Sequence, residues 1–319
     1  MDRRRFATWL ASVGAGITTR FDPGLSPATR LPNALPTRQL GATGLEVPIL
    51  GLGGFHLGQA GSAASARSLV DAALDEGIRF FDTAESYQSG VSERWLGAAL
   101  RGRRDRVVLM SKTFAYPERT RASARRHLEG SLARLGVDFL DIWQLHSVRS
   151  VADVDRAFGP GGAMEYLQEA RAKGLVRFLG VTGHANPDAN RRALEYWDRG
   201  LRFDVMQMPI NPIDYHQQSF QRIVLPELVR RQVGVIAMKT SADGRLVRDG
   251  LCTEEECLHY VWSQPVSLAV VGMERAALVR ENAGLARTFR PLSAERLQSL
   301  RARLEPQARL ELEWYKQRP

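Results

Sequence analysis

One rhythm constrains this chain more than any other feature. A short apolar run is followed by an amphipathic stretch, and the unit recurs eight times. The first run ends at Leu50–Gly53; the others cover 78–82, 106–112, 139–146, 176–183, 203–209, 233–239 and 267–272. The amphipathic stretches lie near 64–76, 92–101, 120–135, 163–173, 187–199, 219–231, 254–263 and 275–286. The runs are rich in Val, Ile, Leu and Phe, as strands buried on both faces must be. The stretches repeat apolar residues every three or four positions, so that Leu128, Leu132 and Leu135 share one helical stripe. Strict alternation predicts an α/β fold with a parallel sheet. Eight units predict a closed (β/α)8 barrel of the TIM type, which takes about 250 residues. A doubly wound open sheet is the competing architecture. It needs a Gly-x-Gly-x-x-Gly loop leading into a helix, and GLGGFHLG at 51–58 lacks that spacing. Ahead of the first run, Gly41 and Gly44 punctuate two extended pieces, which predicts an N-terminal β-hairpin. After the eighth unit, 292–319 predicts a C-terminal helical extension interrupted at Pro306.

The N-terminus reads differently. Arg3-Arg4-Arg5-Phe6 precedes an uncharged, mildly apolar stretch to Thr19. A basic start, a weak apolar region and small residues are the pattern of a twin-arginine export signal. Residues 20–37 carry Pro23, Pro27, Pro32 and Pro36 and no period, as a linker does. The expected domains are therefore 1–37, signal and linker, and 38–319, the barrel. A working signal implies the twin-arginine export machinery as a partner and a periplasmic location; otherwise the protein is cytoplasmic. No segment reaches the roughly 20 apolar residues of a stable membrane span.

Composition removes other classes. The chain has 319 residues and a net charge of +9, and all but four of its 44 basic residues are arginines. No basic run is interleaved with aromatics, so no nucleic-acid partner is expected. Two cysteines, Cys252 and Cys257, make neither a disulfide framework nor a metal site, and no metal is expected.

Four ionisable groups stand where a barrel strand usually ends in small residues. Asp82 closes the second run, with Tyr87 five residues on; Lys112 closes the third and His146 the fourth. In a barrel all four converge on the C-terminal rim, where active sites of this fold sit. Their types form an acid–base unit. A phenol with a pKa near 10 is a poor acid at neutral pH. A neighbouring ammonium lowers that value, and an anion beside the ammonium keeps it charged; Lys112 and Asp82 supply these. His146 can hydrogen-bond a substrate oxygen. Such a set protonates a carbonyl as a hydride arrives. No side chain donates a hydride, so a nicotinamide cofactor is implied.

These segments resemble the aldo-keto reductase family. RQLGATGLEVPILGLGG is similar to its opening hairpin and first strand, FFDTAESYQSGVSERWLGAAL to its Asp-plus-Tyr segment, MSKT to its lysine strand and LDIWQLH to its histidine strand. The resemblance covers about 38–290. It implies a barrel reductase acting on a small-molecule carbonyl, an aldehyde or ketone, with NADPH or less often NADH. It implies Asp82, Tyr87, Lys112 and His146 as the catalytic set, with Tyr87 as the acid. Gly53 and Asp82 are implied beside the cofactor, and Gln207 as the holder of the nicotinamide amide. Where many members have Ser-Asn this chain has Thr182-Gly183-His184, and His184 either takes an amide contact or is structural. Lys239 falls near the expected pyrophosphate path, or makes a rim salt bridge. Gly272 and Met273 open the implied phosphate loop at a helix start. Glu281 and Asn282 match the adenine contacts. The usual 2′-phosphate arginine is replaced by Leu278; Arg275 and Arg280 are nearby, and Glu274 opposes a phosphate. Loops 147–163 and 241–253, with Phe55-His56-Leu57, are expected to shape the substrate pocket. A cofactor-binding regulatory or redox-sensing subunit is the alternative reading.

Overall fold

The computed structural model describes residues 34–113 and 117–317. The twin-arginine signal expected at 1–19, and the expected linker as far as residue 33, lie outside them. Strands β1 (Thr37–Gln39) and β2 (Glu46–Pro48) pair as an antiparallel hairpin. The other eight are β3 (Leu50–Gly53), β4 (Phe80–Asp82), β5 (Val108–Lys112), β6 (Leu140–Val148), β7 (Val176–Gly183), β8 (Val205–Pro209), β9 (Gly234–Met238) and β10 (Leu268–Gly272). They close in sequence order into a parallel barrel, β10 pairing with β3, as the alternation predicts. Leu35 packs into the core, and the Pro36 carbonyl accepts from the Ile49 amide at 2.9 Å, so packing extends ahead of β1 at least to Leu35.

The barrel interior is layered because side chains alternate along a strand. Phe80, Met110, Ile142 and Val205 form an apolar floor, sealed from below by Leu40 and Val47 of the hairpin. Gly41 holds the hairpin turn at φ +55°, and a Cβ there would lie 2.3 Å from the Gly234 nitrogen. Two residues further along the same four strands stand Asp82, Lys112, Gln144 and Gln207, all buried. One pleat therefore converts an oily floor into a polar platform. Outside the barrel, the strands and the inner faces of the helices share the main core. Helix Arg121–Leu135 is typical: Thr120 and Ser123 make a capping box, Gly136 ends it in the left-handed region, and Leu128 and Leu135 are buried.

Three segments depart from the sequence pattern. The stretch 219–231 breaks into Phe220–Ile223 and Leu225–Arg230, because Pro226 lacks the amide that would continue the hydrogen-bond ladder. The loop 147–163 contains helix Val151–Phe158, and 241–253 contains the short turn Arg245–Arg248. The extension forms helix Ala294–Leu304, stops at the turn holding Pro306, and ends in a turn whose Lys316 is buried. Cys252 and Cys257 are free and buried, and among the described residues no group of ligands could hold a metal. No described helix is long and apolar enough to cross a membrane.

Candidate active site

The ends of β4 and β5, the turn after β4 and the last residues of β6 bring the four ionisable groups together, with His146 two residues before the end of β6. Lys112 is the hub: its ammonium pairs with Asp82 Oδ1, donates to the Thr83 carbonyl at 2.8 Å and reaches the Tyr87 hydroxyl at 3.1 Å. The same nitrogen lies 4.8 Å from the centre of the Tyr87 ring. Gln207 Nε2 donates to the other Asp82 oxygen at 3.3 Å. Tyr87 begins a tight turn, Tyr87–Gly90, in which Gln88 and Ser89 are left-handed. Its ring meets His146 edge to face, with centroids 5.9 Å apart, and Phe55 on the other side at 5.4 Å. Phe55 is 47% exposed, which makes it an apolar wall facing solvent.

Burial sets the protonation states. It works against charge on Lys112, yet the Asp82 carboxylate and the Tyr87 hydroxyl beside it hold the ammonium above the usual lysine range. Burial also lifts the Tyr87 phenol above its usual value, and Lys112 offsets this only in part. The sequence argument expected Lys112 to lower that pKa; desolvation outweighs it here. Tyr87 thus keeps its proton throughout the neutral range. His146 is pushed well below the usual histidine range, by burial first and then by Lys112, His184 and Arg119. It is a neutral imidazole, and its buried Nδ1 has no partner among the described residues.

The implied cofactor residues surround this cluster. Gly272, Gly53 and Asp82 stand side by side across β10, β3 and β4. A Cβ on Gly53 would sit 3.1 Å from the Val271 carbonyl oxygen, so a side chain there would need the neighbouring strand to give by a few tenths of an ångström. His56 lies over Gly272, its Nδ1 2.0 Å from where a Cβ would be, and its Nε2 is 3.7 Å from Glu274. Met273 is fully buried. Arg275 is the exposed N-cap of helix Ala276–Thr288, which has no side-chain cap. That helix carries Arg280 and Glu281, both exposed, and Asn282, buried. Lys239, left-handed at φ +54°, pairs with Asp243 at 2.7 Å. His184 stacks on Tyr315 with centroids 6.1 Å apart and faces the Ser147 hydroxyl at 3.4 Å.

The fit to a nicotinamide cofactor can be judged from the groups left over. Gln207 Oε1 is buried with no partner among the described residues, one pleat below the rim, where a carboxamide N–H would meet it. The uncapped helix after Gly272 presents free amides suited to an anion.

The sequence left Trp314 and Tyr315 between closing over the rim and plain packing, and the chain's tail does reach this rim. Asn211 donates to the Lys239 carbonyl at 3.2 Å and to the Tyr315 hydroxyl at 3.1 Å, while Trp314 Nε1 donates to Asp243 at 3.0 Å. Lys316 anchors the turn between Asp214 at 2.8 Å and Glu313 at 2.7 Å.

Known proteins resemble this chain. Residues 49–251 match the model of the Aldo/keto reductase family. Over 279 residues the chain is 26% identical to a 6-dehydroglucose reductase of Novosphingobium aromaticivorans, covering 77% of this chain and 88% of that one. It is 28% identical to a D-threo-aldose 1-dehydrogenase of a Pseudomonas species, covering 72% and 78%. A crystal structure of an aldo-keto reductase from Klebsiella pneumoniae in complex with NADPH superposes with a TM-score of 0.68 at 25% identity, covering 83% of this chain and 94% of that one.

Proposed function

The chain belongs to the aldo/keto reductase family of NAD(P)H-dependent oxidoreductases, and from that premise we propose that it reduces an aldehyde or ketone with Tyr87 as the general acid. The observation that carries this reading is the Lys112 ammonium, in contact with both the Asp82 carboxylate and the Tyr87 hydroxyl. Bound reduced cofactor supplies the hydride to the carbonyl carbon. Tyr87 Oη gives its proton to the carbonyl oxygen, and Lys112 stabilises the phenolate that remains. Asp82 keeps Lys112 charged and oriented. Neutral His146 hydrogen-bonds the same oxygen and polarises it as the hydride adds. Phe55 supplies an apolar wall for the substrate.

Gln207 is proposed to hold the nicotinamide amide, with Gly53 leaving room beside it, and His184 to border that end of the site. Gly272, Met273 and the following helix start would take the phosphates, with Lys239 released from Asp243 as a further cation. Glu281 and Asn282 would contact adenine. NADPH is the proposed cofactor: Arg275 and Arg280 lie near the expected 2′-phosphate, and Glu274 opposes it. NADH remains the competing cofactor of the titration below.

The test is a titration of the protein with NADPH and NADH followed by tryptophan fluorescence, then cofactor oxidation with a panel of aromatic, aliphatic and sugar aldehydes. Micromolar NADPH binding and turnover support the reading; absence of binding to either cofactor removes it. We further propose that Arg3-Arg4-Arg5-Phe6 directs twin-arginine export to the periplasm. Fractionation of cells expressing the full chain, with Arg3, Arg4 and Arg5 changed to Lys as control, tests this. Cytoplasmic retention of the unaltered chain overturns it.

A further inference from the structure

Behind His146 lies a second charged constellation that the reduction chemistry does not use. Arg119 precedes helix Arg121–Leu135, and its side chain is fully buried. Its guanidinium grips Asp153 with both ends of the fork, Nε to Oδ1 and Nη2 to Oδ2, each at 2.9 Å. The remaining reach goes to two consecutive carbonyls: Nη1 donates to that of His146 at 2.8 Å and Nη2 to that of Ser147 at 3.0 Å. Four of the five guanidinium N–H groups are thereby used. Asp153 lies in the first turn of helix Val151–Phe158 and also accepts from the Arg149 amide at 3.1 Å.

The backbone at this point is irregular. The register between β6 and β7 shifts between Leu145 and Val148. Ser147 sits at φ +54°, a conformation that residues with a Cβ keep only when their surroundings hold it. A bulge of this kind re-aims the side chains beside it. Here the bulge contains His146, and the two carbonyls it displaces both turn toward one cation.

We propose that Arg119, with Asp153 as its counter-charge, is a positioning residue that holds this bulge and so aims the His146 imidazole at Tyr87. A planar fork is required, because a lysine can meet the carboxylate or the two carbonyls but cannot span both. The same link makes the start of helix Val151–Phe158 part of the catalytic geometry. The proposal rests on the reading of Tyr87 and His146 given above.

The experiment measures kcat with 4-nitrobenzaldehyde and NADPH, and the NADPH Kd by tryptophan fluorescence. The variant is Arg119→Met combined with Asp153→Leu, which leaves neither charge buried alone. The expected result is a fall in kcat of about tenfold or more with NADPH Kd changed less than about twofold. Arg119→Lys should recover part of the loss. In a His146→Ala background the same pair should lower kcat by less than about twofold, since a residue acting through His146 has nothing left to aim. Equal losses in both backgrounds, or unchanged kcat, overturn the proposal. Should the double variant fail to fold, Asp153→Asn keeps the shape and removes the charge; it should lower kcat at least about threefold with NADPH Kd unchanged, and wild-type kcat overturns the proposal. If the wild type binds NADPH but reduces no aldehyde, the reading of the site fails, and this proposal with it.

Discussion

The proposed catalytic cluster and the proposed cofactor rim lie on the same end of the barrel, yet they are built on different terms. Asp82, Lys112 and Gln207 are buried on strands and hold one another directly. Around them, Arg275, Arg280 and Glu281 are exposed, and Lys239 and His56 meet single carboxylates of Asp243 and Glu274. The difference teaches where precision resides. On the proposed reading, buried strand residues preorganise the proton chemistry before any ligand arrives, whereas the rim carries charges whose partners would be exchanged when a cofactor binds. Substitutions in the first region should therefore act on kcat and stability, and those in the second on cofactor affinity.

The largest effect should follow Tyr87→Phe. It deletes the proton and keeps the ring against His146 and Phe55, so kcat should fall by about a thousandfold or more with NADPH Kd nearly unchanged. Wild-type turnover by this variant would remove the catalytic assignment. Lys112→Met should come next. It leaves the Asp82 carboxylate buried without its cation, which costs about 3–5 kcal/mol of stability and lowers kcat by about a hundredfold. Denaturant unfolding and kcat measured together separate the two losses. The pH dependence has a definite sign. The folded pKa of Lys112 is raised, so its contribution is complete below the unfolded value near 10.4 and is lost as pH rises through the higher folded value. Stability of the wild type should accordingly show no Lys112-dependent loss between pH 7 and 10.

How much of this was legible in the sequence follows the same division. The eight strands and three of the four ionisable groups could be read because the last residues of a buried strand admit few polar side chains, so Asp82, Lys112 and His146 stand out against Phe81, Met110 and Leu145; Tyr87, in a turn, was legible only through its closeness to Asp82 in the chain and the family resemblance. Helix Val151–Phe158 could not, since eight residues give barely two turns of period and Arg149-Ser150 reads as a loop. Arg119 was hidden among many arginines; only its burial and its grip on Asp153 separate it from the exposed Arg125 and Arg126. The sign of the Tyr87 shift was also out of reach, because it depends on how deeply the ring is buried.

Glu85, two residues before Tyr87, turns to Arg134 of helix Arg121–Leu135 and sharpens the comparison. Burial lifts its carboxyl to about 7, with Arg134 lowering it and Glu93 and Glu118 raising it. The neutral form is thus favoured in the folded state. Its unfavourable contribution is absent below the unfolded value near 4.3, grows as pH rises, and is complete above about 7. Glu85→Gln should therefore raise stability at pH 8 by about 1–3 kcal/mol and change it little at pH 4. Thermal unfolding at the two pH values checks this; equal Tm shifts at both would mean that packing, and not ionisation, governs the site.

The smallest effect belongs to the rim. Trp314 Nε1 donates to Asp243, which also pairs with Lys239, and the Lys239 ammonium lies 5.5 Å from the Trp314 ring. If Lys239 must leave Asp243 to meet the cofactor phosphates, Trp314 is the second partner that keeps Asp243 from following it. Trp314→Phe removes that hydrogen bond and keeps an aromatic face for Lys239. It should weaken NADPH binding by about two- to fivefold, the worth of about one partly exposed hydrogen bond, with kcat unchanged. A kcat loss without a Kd change would place Trp314 with the catalytic cluster, and the division between proton chemistry on strands and cofactor capture on the rim would fail at that residue.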